Sequence, residues 1–452
     1  MPLFRTWLTA AALVPATSLV AATSTVTFQN GVSSYTGQVN RLIASNNPDA
    51  VVTTNTILTM DGFGLPDSGP SPDVQSLIRF DSMFGSGPGQ IPIGATIIDS
   101  RLTLTTHNAA ASQSGGPYGV AGLLQPFNAA TATYNSYATD TQSTPGNIGN
   151  RGTWYQEGKA TRPVGGIGAL AINEKVTVNV TNIARGWADG SMANNGLAVQ
   201  AGFSGTTDGW TARSGTHVTA ADRPALSVTY TTDPVTVARL QQGVNGYTGT
   251  SMVKAERDPT FGISGVANGE FIEQDFLDFG ADSNNKTAAI RFDDIATAAS
   301  IPSDAQVLSA YLVITTGETS ANARSAGEWQ VDALATPFEA PTDESVGTTY
   351  EEFGPNGPEG TLLSSAKGMI TGSEALFDVT AYIRNVLAGG DNNGFALRSS
   401  GTGDGWEIHY TGSSTIEARP ELVIAYTTVP EPTAIAGLVV GAAAMLRRSR
   451  RA

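Results

Sequence analysis

Short stretches of alternating polar and apolar residues recur along most of this chain. Arg101-Leu102-Thr103-Leu104-Thr105 alternates strictly, which leaves Leu102 and Leu104 on one face of an extended strand. Val176 to Val180 and Leu226 to Tyr230 alternate in the same way, Ser76 to Asp81 more loosely, and Leu422 to Tyr426 only in part. Clusters of Gly, Asn, Asp and Pro separate these runs and supply the turns. Two short segments break the period: Thr181 to Trp187 and Thr380 to Leu387 read as helical turns, with Thr181 and Thr380 as caps and Gly190 and Gly389 as stops. About eight short strands in each stretch of roughly 190 residues, apolar on one face, predict an all-β chain of antiparallel β-sandwiches of jelly-roll type.

The pattern occurs twice. Phe28-Gln29-Asn30-Gly31-Val32 to Tyr35-Thr36-Gly37 matches Leu240-Gln241-Gln242-Gly243-Val244 to Tyr247-Thr248-Gly249. Ile78-Arg79-Phe80-Asp81 matches Ile290-Arg291-Phe292-Asp293 at the same spacing. In the same order follow Ile91-Pro92 with Ile301-Pro302, Val178-Asn179-Val180-Thr181 with Phe377-Asp378-Val379-Thr380, and Asn194-Asn195-Gly196-Leu197-Ala198 with Asn392-Asn393-Gly394-Phe395-Ala396. Asp208-Gly209-Trp210 then pairs with Asp404-Gly405-Trp406, and Arg223-Pro224-Ala225-Leu226 with Arg419-Pro420-Glu421-Leu422. Blocks in one order at a slowly drifting spacing imply tandem homologous domains, and the period is too long for a solenoid unit. The reading places one domain over 23–232, a linker over 233–236 and a second domain over 237–428.

The ends are different. Arg5, the apolar run Leu8 to Val20 and the small residues Val20-Ala21-Ala22 read as a signal peptide over 1–22, cut after Ala22. Residues 429–452 form a three-part tail: Val429-Pro430-Glu431-Pro432, an apolar run to Leu446, then Arg447, Arg448, Arg450 and Arg451. Prolines keep the first part extended and readable by another protein. The apolar part has about 14 uninterrupted residues where a stable span wants about 20, so it suits a temporary hydrophobic sorting helix. The arginines orient the chain with its end in the cytoplasm. This tail resembles the PEP-CTERM sorting signal of Gram-negative bacteria. The resemblance implies an exosortase as partner beside the secretion machinery, a transient stay at the inner membrane, and release to the cell surface or the extracellular space.

The block order between the ends resembles the DNRLRE domain, a secreted module also called disaggregatase-related. The matching features are the Arg-Phe-Asp strand, the Ile-Pro segment, the Val-Thr turn helix, the Asn-Gly-Leu-Ala strand and the closing Arg-Pro-x-Leu strand. Trp187, where the family favours tryptophan, is replaced by Val386 in the second copy. Related modules look like carbohydrate-binding modules attached to polysaccharide-degrading enzymes, so the resemblance implies the fold and a link to polysaccharide.

Composition narrows the chemistry. The chain has no cysteine, which excludes disulfides, thiolate metal sites and cysteine nucleophiles. Its formal charge is −15, which disfavours nucleic acid and anionic membranes and allows cations or neutral polymers as partners. The three histidines, His107, His217 and His409, do not pair at ligand spacing. No nucleophile elbow or phosphate-binding loop is present, and Gly85-Ser86-Gly87-Pro88-Gly89 lacks the lysine a phosphate cradle needs. Asp81 and Asp293 follow equivalent strands and read as structural ion-pair or turn residues. The sequence assigns no catalytic residue and requires no cofactor.

Two kinds of ligand contact remain open. Trp210 and Trp406, with Trp154, Tyr155 and Trp329 as weaker candidates, read either as core residues or as flat faces for stacking on sugar rings. Oxygen-rich turns, chiefly Asp391 and Asn393, with Asp275, Asp278 and Asp282 elsewhere, read as Asx-type turns or as ligands of a structural calcium ion. The expected function is an exported, non-catalytic surface or matrix protein that is structural or binds extracellular polysaccharide. Its rivals are a polysaccharide-degrading enzyme with an acidic cleft in one copy, and a spacer without ligand.

Overall fold

The structure is a computed structural model. It describes residues 21–44, 46–52, 56–61, 74–137, 160–201, 209–256, 271–275, 286–317, 323–338, 360–399 and 405–428. The expected signal peptide, apart from Ala21 and Ala22, and the whole expected sorting tail lie outside these residues. Among the described residues no helix is long and apolar enough to cross a membrane.

The chain is mostly β-sheet. Its first half contributes β1 (Ser24–Gln29), β2 (Gln38–Ala44), β3 (Ile57–Met60), β4 (Val74–Phe80), β5 (Thr96–Thr105), β6 (Tyr118–Gly122), β7 (Val164–Ile167), β8 (Lys175–Asn179), β9 (Leu197–Ala201), β10 (Trp210–Arg213) and β11 (Ala225–Thr231). The second half contributes β12 (Thr236–Gln241), β13 (Thr250–Glu256), β14 (Phe271–Asp275), β15 (Lys286–Phe292), β16 (Ala305–Thr315), β17 (Ser325–Leu334), β18 (Gly360–Met369), β19 (Glu374–Asp378), β20 (Phe395–Ser399), β21 (Gly405–His409) and β22 (Glu421–Thr428). Strand order in the first half is β1-β11-β5-β8 in one sheet and β2-β4-β9-β6-β7 in another, with β3 paired to β10. The second half repeats this order strand for strand, as β12-β22-β16-β19, β13-β15-β20-β17-β18 and β14-β21. Each half thus has more strands than the sequence pattern shows. The additions include the short pair β3–β10, with its counterpart β14–β21. Thr236, expected in the linker, already pairs with Tyr426 in β12.

The alternation works as period-2 burial requires. Leu102 and Leu104 of β5, Leu226 and Val228 of β11, and Phe28 of β1 turn inward. They meet Ile78 and Phe80 of β4, Val120 of β6 and Val199 of β9 in one hydrophobic cluster. Leu312 and Ile314, Leu422 and Ile424, Ile290 and Phe292, Val331 and Leu397 build the equivalent cluster in the second half.

The helix Thr181–Asp189 follows β8, and the helix Thr380–Leu387 follows β19. The expected threonine caps are corrected. Val180 and Val379 hold the cap positions without a side-chain hydrogen bond, and the threonines are the first helical residues. Their hydroxyls instead accept the backbone N–H of Ser100 and of Ala310, both at 2.8 Å, and so tie each helix to the adjoining strand. Gly190 ends the first helix with φ of 76°, the left-handed backbone that glycine adopts without steric cost.

The halves are joined into one sheet. β19 pairs in parallel with β7 at Glu374 and Val164, which makes a nine-stranded sheet in the order β12-β22-β16-β19-β7-β6-β9-β4-β2. Glu374 N–H donates to Pro163 O at 2.8 Å. Tyr311, Val313, Leu376 and Val423 point away from the second half's own core and belong to the first half's cluster.

Candidate functional site

The tryptophans of the Asp-Gly-Trp blocks are core residues. Trp210 and Trp406 are both 0% exposed. Trp210 lies 5.2 Å from Tyr118 between ring centroids, and Trp406 lies 5.2 Å from Trp329. Each indole N–H has an internal partner, Thr106 Oγ1 at 3.1 Å and Thr316 Oγ1 at 3.0 Å. The sugar-stacking reading of Trp210 and Trp406 is corrected accordingly: a ring packed on all sides has no face to offer a ligand. Trp329 is also 0% exposed, and its N–H donates to Ser325 Oγ at 2.8 Å. Trp154 and Tyr155 lie outside the described residues.

The duplicated polar blocks brace the backbone. Arg79 Nε donates to Asp81 Oδ1 at 2.5 Å and its Nη1 to Phe127 O at 2.8 Å, with the guanidinium 5.0 Å from the Phe127 ring. Arg291 repeats this on Asp293 at 2.8 Å and Phe338 O at 2.9 Å, 5.2 Å from the Phe338 ring. Tyr35 and Tyr247 donate to the carbonyls of the same two aspartates, at 2.9 and 3.0 Å. Burial raises both phenols, Tyr247 to about 12. Arg223 and Arg419 each clasp two loop carbonyls, His217 O with Asn30 O, and Ser413 O with Gln242 O.

The Asn-Asn-Gly turn is explained in the same way. Asn194 Nδ2 donates to Phe80 O at 2.8 Å, and Asn392 Nδ2 to Phe292 O at 2.7 Å. Gly196 and Gly394 have φ of 101° and 93°, and a Cβ on either would stand 2.6 Å from a carbonyl oxygen of Ile78 or Ile290. The side chains of this turn also hold a neighbouring loop. Asn393 Nδ2 grips Leu334 O at 3.2 Å and Ala335 O at 2.9 Å. The neighbouring Asn392 Oδ1 accepts the Tyr382 hydroxyl at 3.1 Å. Asp391 is exposed, and among the described residues no three His, Asp or Glu side chains gather where they could hold a metal ion. Asp278 and Asp282 lie outside the described residues.

Three arrangements escaped sequence reasoning. His409 Nδ1 lies 2.8 Å from Ser413 Oγ, a spacing suited to a base and a nucleophile. Ser413 is 0% and His409 2% exposed, so the pair is sealed within the fold. Asp332 is buried at 1% and paired with Arg398, where the first half has Ala121 and Gln200. Trp329 to Leu334 alternates, with Gln330 and Asp332 both at polar positions, so nothing local marks Asp332 as the buried one. The third lies at the seam. Arg185 donates to Ile97 O, Ile98 O and Ser309 Oγ, and the Tyr311 hydroxyl donates to Asp99 Oδ1 at 2.6 Å. Burial lowers the Arg185 pKa to about 10 and raises that of Tyr311.

One broad face stays open to solvent, the outer face of β1-β11-β5-β8. Thr25 and Thr229 share a hydrogen bond at 2.8 Å, Thr27 donates to Ser227 at 3.5 Å, and Thr103 meets Thr177 at 3.0 Å. The charges beside these hydroxyls are paired internally. Arg101 Nε binds both oxygens of Asp99, and Lys175 sits 3.6 Å from Asp222. This face offers hydroxyl donors, hydroxyl acceptors and threonine methyls, with the exposed Lys175 at one end sharing Asp222 with Arg213.

No family model and no curated protein matches this sequence.

Proposed function

We propose that this chain is an exported, non-catalytic cell-surface or extracellular-matrix protein that binds polysaccharide. It is built from two jelly-roll β-sandwiches of the DNRLRE type. It is held briefly at the inner membrane by a PEP-CTERM tail and released by an exosortase. The observation that carries the non-catalytic reading is where the duplicated polar residues go. Arg79, Asn194, Arg223 and their counterparts donate to loop and strand carbonyls, and Asp81 and Asp293 hold the two arginines in place, which is what motifs that specify a fold do. The strand orders β1-β11-β5-β8 and β4-β9-β6-β7 follow the jelly-roll succession, which supports the fold assignment. The closing strand β22 ends at Thr428, immediately before the Val429 that opens the proposed tail.

Two experiments test this reading. The purified full chain should be retarded in gels containing extracellular polysaccharides without releasing oligosaccharide ends, and release of sugar ends would favour the enzyme instead. Deleting Pro430, Glu431 and Pro432 should leave export intact and trap an unprocessed form at the inner membrane, and normal processing of that variant would exclude the exosortase.

A further inference from the structure

The Asn-Asn-Gly turns of the two halves are built alike but closed by different groups. In the second half the Tyr382 hydroxyl closes the turn. It donates to Asn392 Oδ1 at 3.1 Å and accepts the Gly394 N–H at 2.8 Å. In the first half Asn194 and Gly196 stand at those places. Asn194 keeps the bond to the neighbouring strand, its Nδ2 donating to Phe80 O as Asn392 Nδ2 donates to Phe292 O. The two helices begin on Thr181 and Thr380, so the counterpart of Tyr382 is Ile183. Isoleucine has no hydroxyl with which to close the turn.

The aromatic ring has instead moved along the helix by one turn. Trp187 stands where the second half has Val386. Residues four apart share one face of a helix, and helical side chains lean toward its N-terminus, so the Trp187 indole lies over the turn that holds Ile183. Ile183 and Trp187 are 3% and 6% exposed and share a hydrophobic cluster with Met83. The Asn194 amide reaches the same methionine, its Nδ2 3.6 Å from Met83 Sδ. Two polar atoms here are buried without a hydrogen-bond partner among the described residues, the acceptor Asn194 Oδ1 and the donor Trp187 Nε1. That acceptor is the atom whose counterpart takes the tyrosine hydroxyl. A buried polar atom left unpaired loses its hydration and gains nothing in exchange, and folded proteins rarely leave one so.

We propose that the first half holds one buried water molecule in the place of the Tyr382 hydroxyl. It donates to Asn194 Oδ1 and accepts the Gly196 N–H, as the hydroxyl does in the second half, and it also accepts the Trp187 indole N–H. Internal waters typically make about three hydrogen bonds to otherwise unsatisfied groups, and these three atoms supply them. The indole by itself cannot replace the hydroxyl. It donates only, so a direct bond from Trp187 to Asn194 would leave the Gly196 N–H without an acceptor. Water both donates and accepts. The duplicated turn is thus closed in two ways, by a tyrosine in one half and by tryptophan with water in the other.

The test is a crystal structure of the full chain that shows ordered solvent, beside one of a variant combining I183Y and W187V, which transplants the second half's pair. The expected result for the unaltered chain is a solvent peak within about 3.2 Å of Asn194 Oδ1, Gly196 N and Trp187 Nε1. In the variant that peak should be gone, with the introduced hydroxyl making its bonds to Asn194 and Gly196. A direct bond from Trp187 Nε1 to Asn194 Oδ1 with no solvent between them would overturn the proposal, as would a solvent peak that persists in the variant beside the introduced hydroxyl. Should the variant fail to fold, the unaltered chain still decides, and a solution measurement supports it. The Trp187 indole proton, identified in the NMR spectrum by its loss in W187F, should show cross-relaxation with a long-lived water. An indole proton with no such cross-relaxation would overturn the water's place.

Discussion

The outer faces of the two four-stranded sheets occupy equivalent places in the duplicated strand order, yet one is wet and the other dry. In the first half the outward positions carry Arg101 and Thr103 on β5, Thr177 on β8 and Ser227 on β11, all at least partly accessible. Aligned with them on β16, β19 and β22 are Tyr311, Val313, Leu376 and Val423, which are between 1% and 7% exposed. The inward positions hardly differ: Leu102 and Leu104 answer to Leu312 and Ile314. Duplication thus kept one face of the sheet and rewrote the other. A strand buried on one side alternates, and a strand buried on both sides reads as a continuous apolar run. The change from Leu-Ser-Val-Thr-Tyr in β11 to Leu-Val-Ile-Ala-Tyr in β22 is that difference written in residues.

The docking also alters what a tandem pair means here. The halves share a nine-stranded sheet and one hydrophobic cluster, so the second half completes the packing of the first. Independent modules on a flexible linker would gain avidity by reaching separately for a polymer. Two halves fixed edge to edge present their surfaces in one set geometry.

The comparison can be broken most severely by separating its members. Expressed as residues 233–428, the second half should bare its apolar face and self-associate, seen as a concentration-dependent shift in sedimentation; a stable monomer at all concentrations would show that the seam contributes little. Charge insertion is the next test. Val423→Asp should cost about 3–5 kcal/mol in chemical denaturation because it buries an unpaired carboxylate, whereas Ser227→Asp at the equivalent place should stay within about 0.5 kcal/mol. Equal effects would deny the asymmetry. Tyr311→Phe removes the hydroxyl that donates to Asp99 and should cost about 1.5–3 kcal/mol, the scale of a hydrogen bond to a charged group.

The smallest effect concerns pH. Desolvation raises the Glu374 pKa at the seam, with Arg162 opposing it. A carboxyl with a raised folded pKa binds its proton more readily when folded. Its contribution is therefore most favourable in acid and falls as pH rises from the ordinary carboxylate range through the raised value. Because Glu374 is half-buried, the change should remain below about 1 kcal/mol, and Glu374→Gln should abolish it in denaturation curves recorded across that range. A steeper or inverted profile in the Gln variant would assign the dependence to another group.

Much of the fold could be read before any coordinates. The strands around Leu102, Val178 and Leu226, the two helices and the order of the duplicated blocks all stand where period and turn chemistry place them. The Asn-Asn-Gly turns were visible as turns, although their purpose, amides reaching Phe80 O and Phe292 O, depends on a strand far away in the chain. The strands of the β3–β10 pair do not stand out in the sequence because four residues carry too short an alternation. Indole suits both a core and a ligand contact, and nothing local in the sequence distinguishes a ring facing Tyr118 from one facing solvent. The partial alternation of Leu422 to Tyr426 was the one local sign of the buried seam.

The sequence by itself determined the strands, their inward faces, the turns that need glycine, and the doubling of the whole set, because these depend on neighbours two to four residues away. Only the tertiary structure decided that Trp210 and Trp406 close the core, that β19 adds to β7, and that one outer sheet face is sealed while its counterpart stays open. Those outcomes depend on which surfaces meet across nearly half the chain, and residue period is blind to that distance. A threonine and a valine fit a pleated strand equally well, and what separates them is whether another sheet covers them.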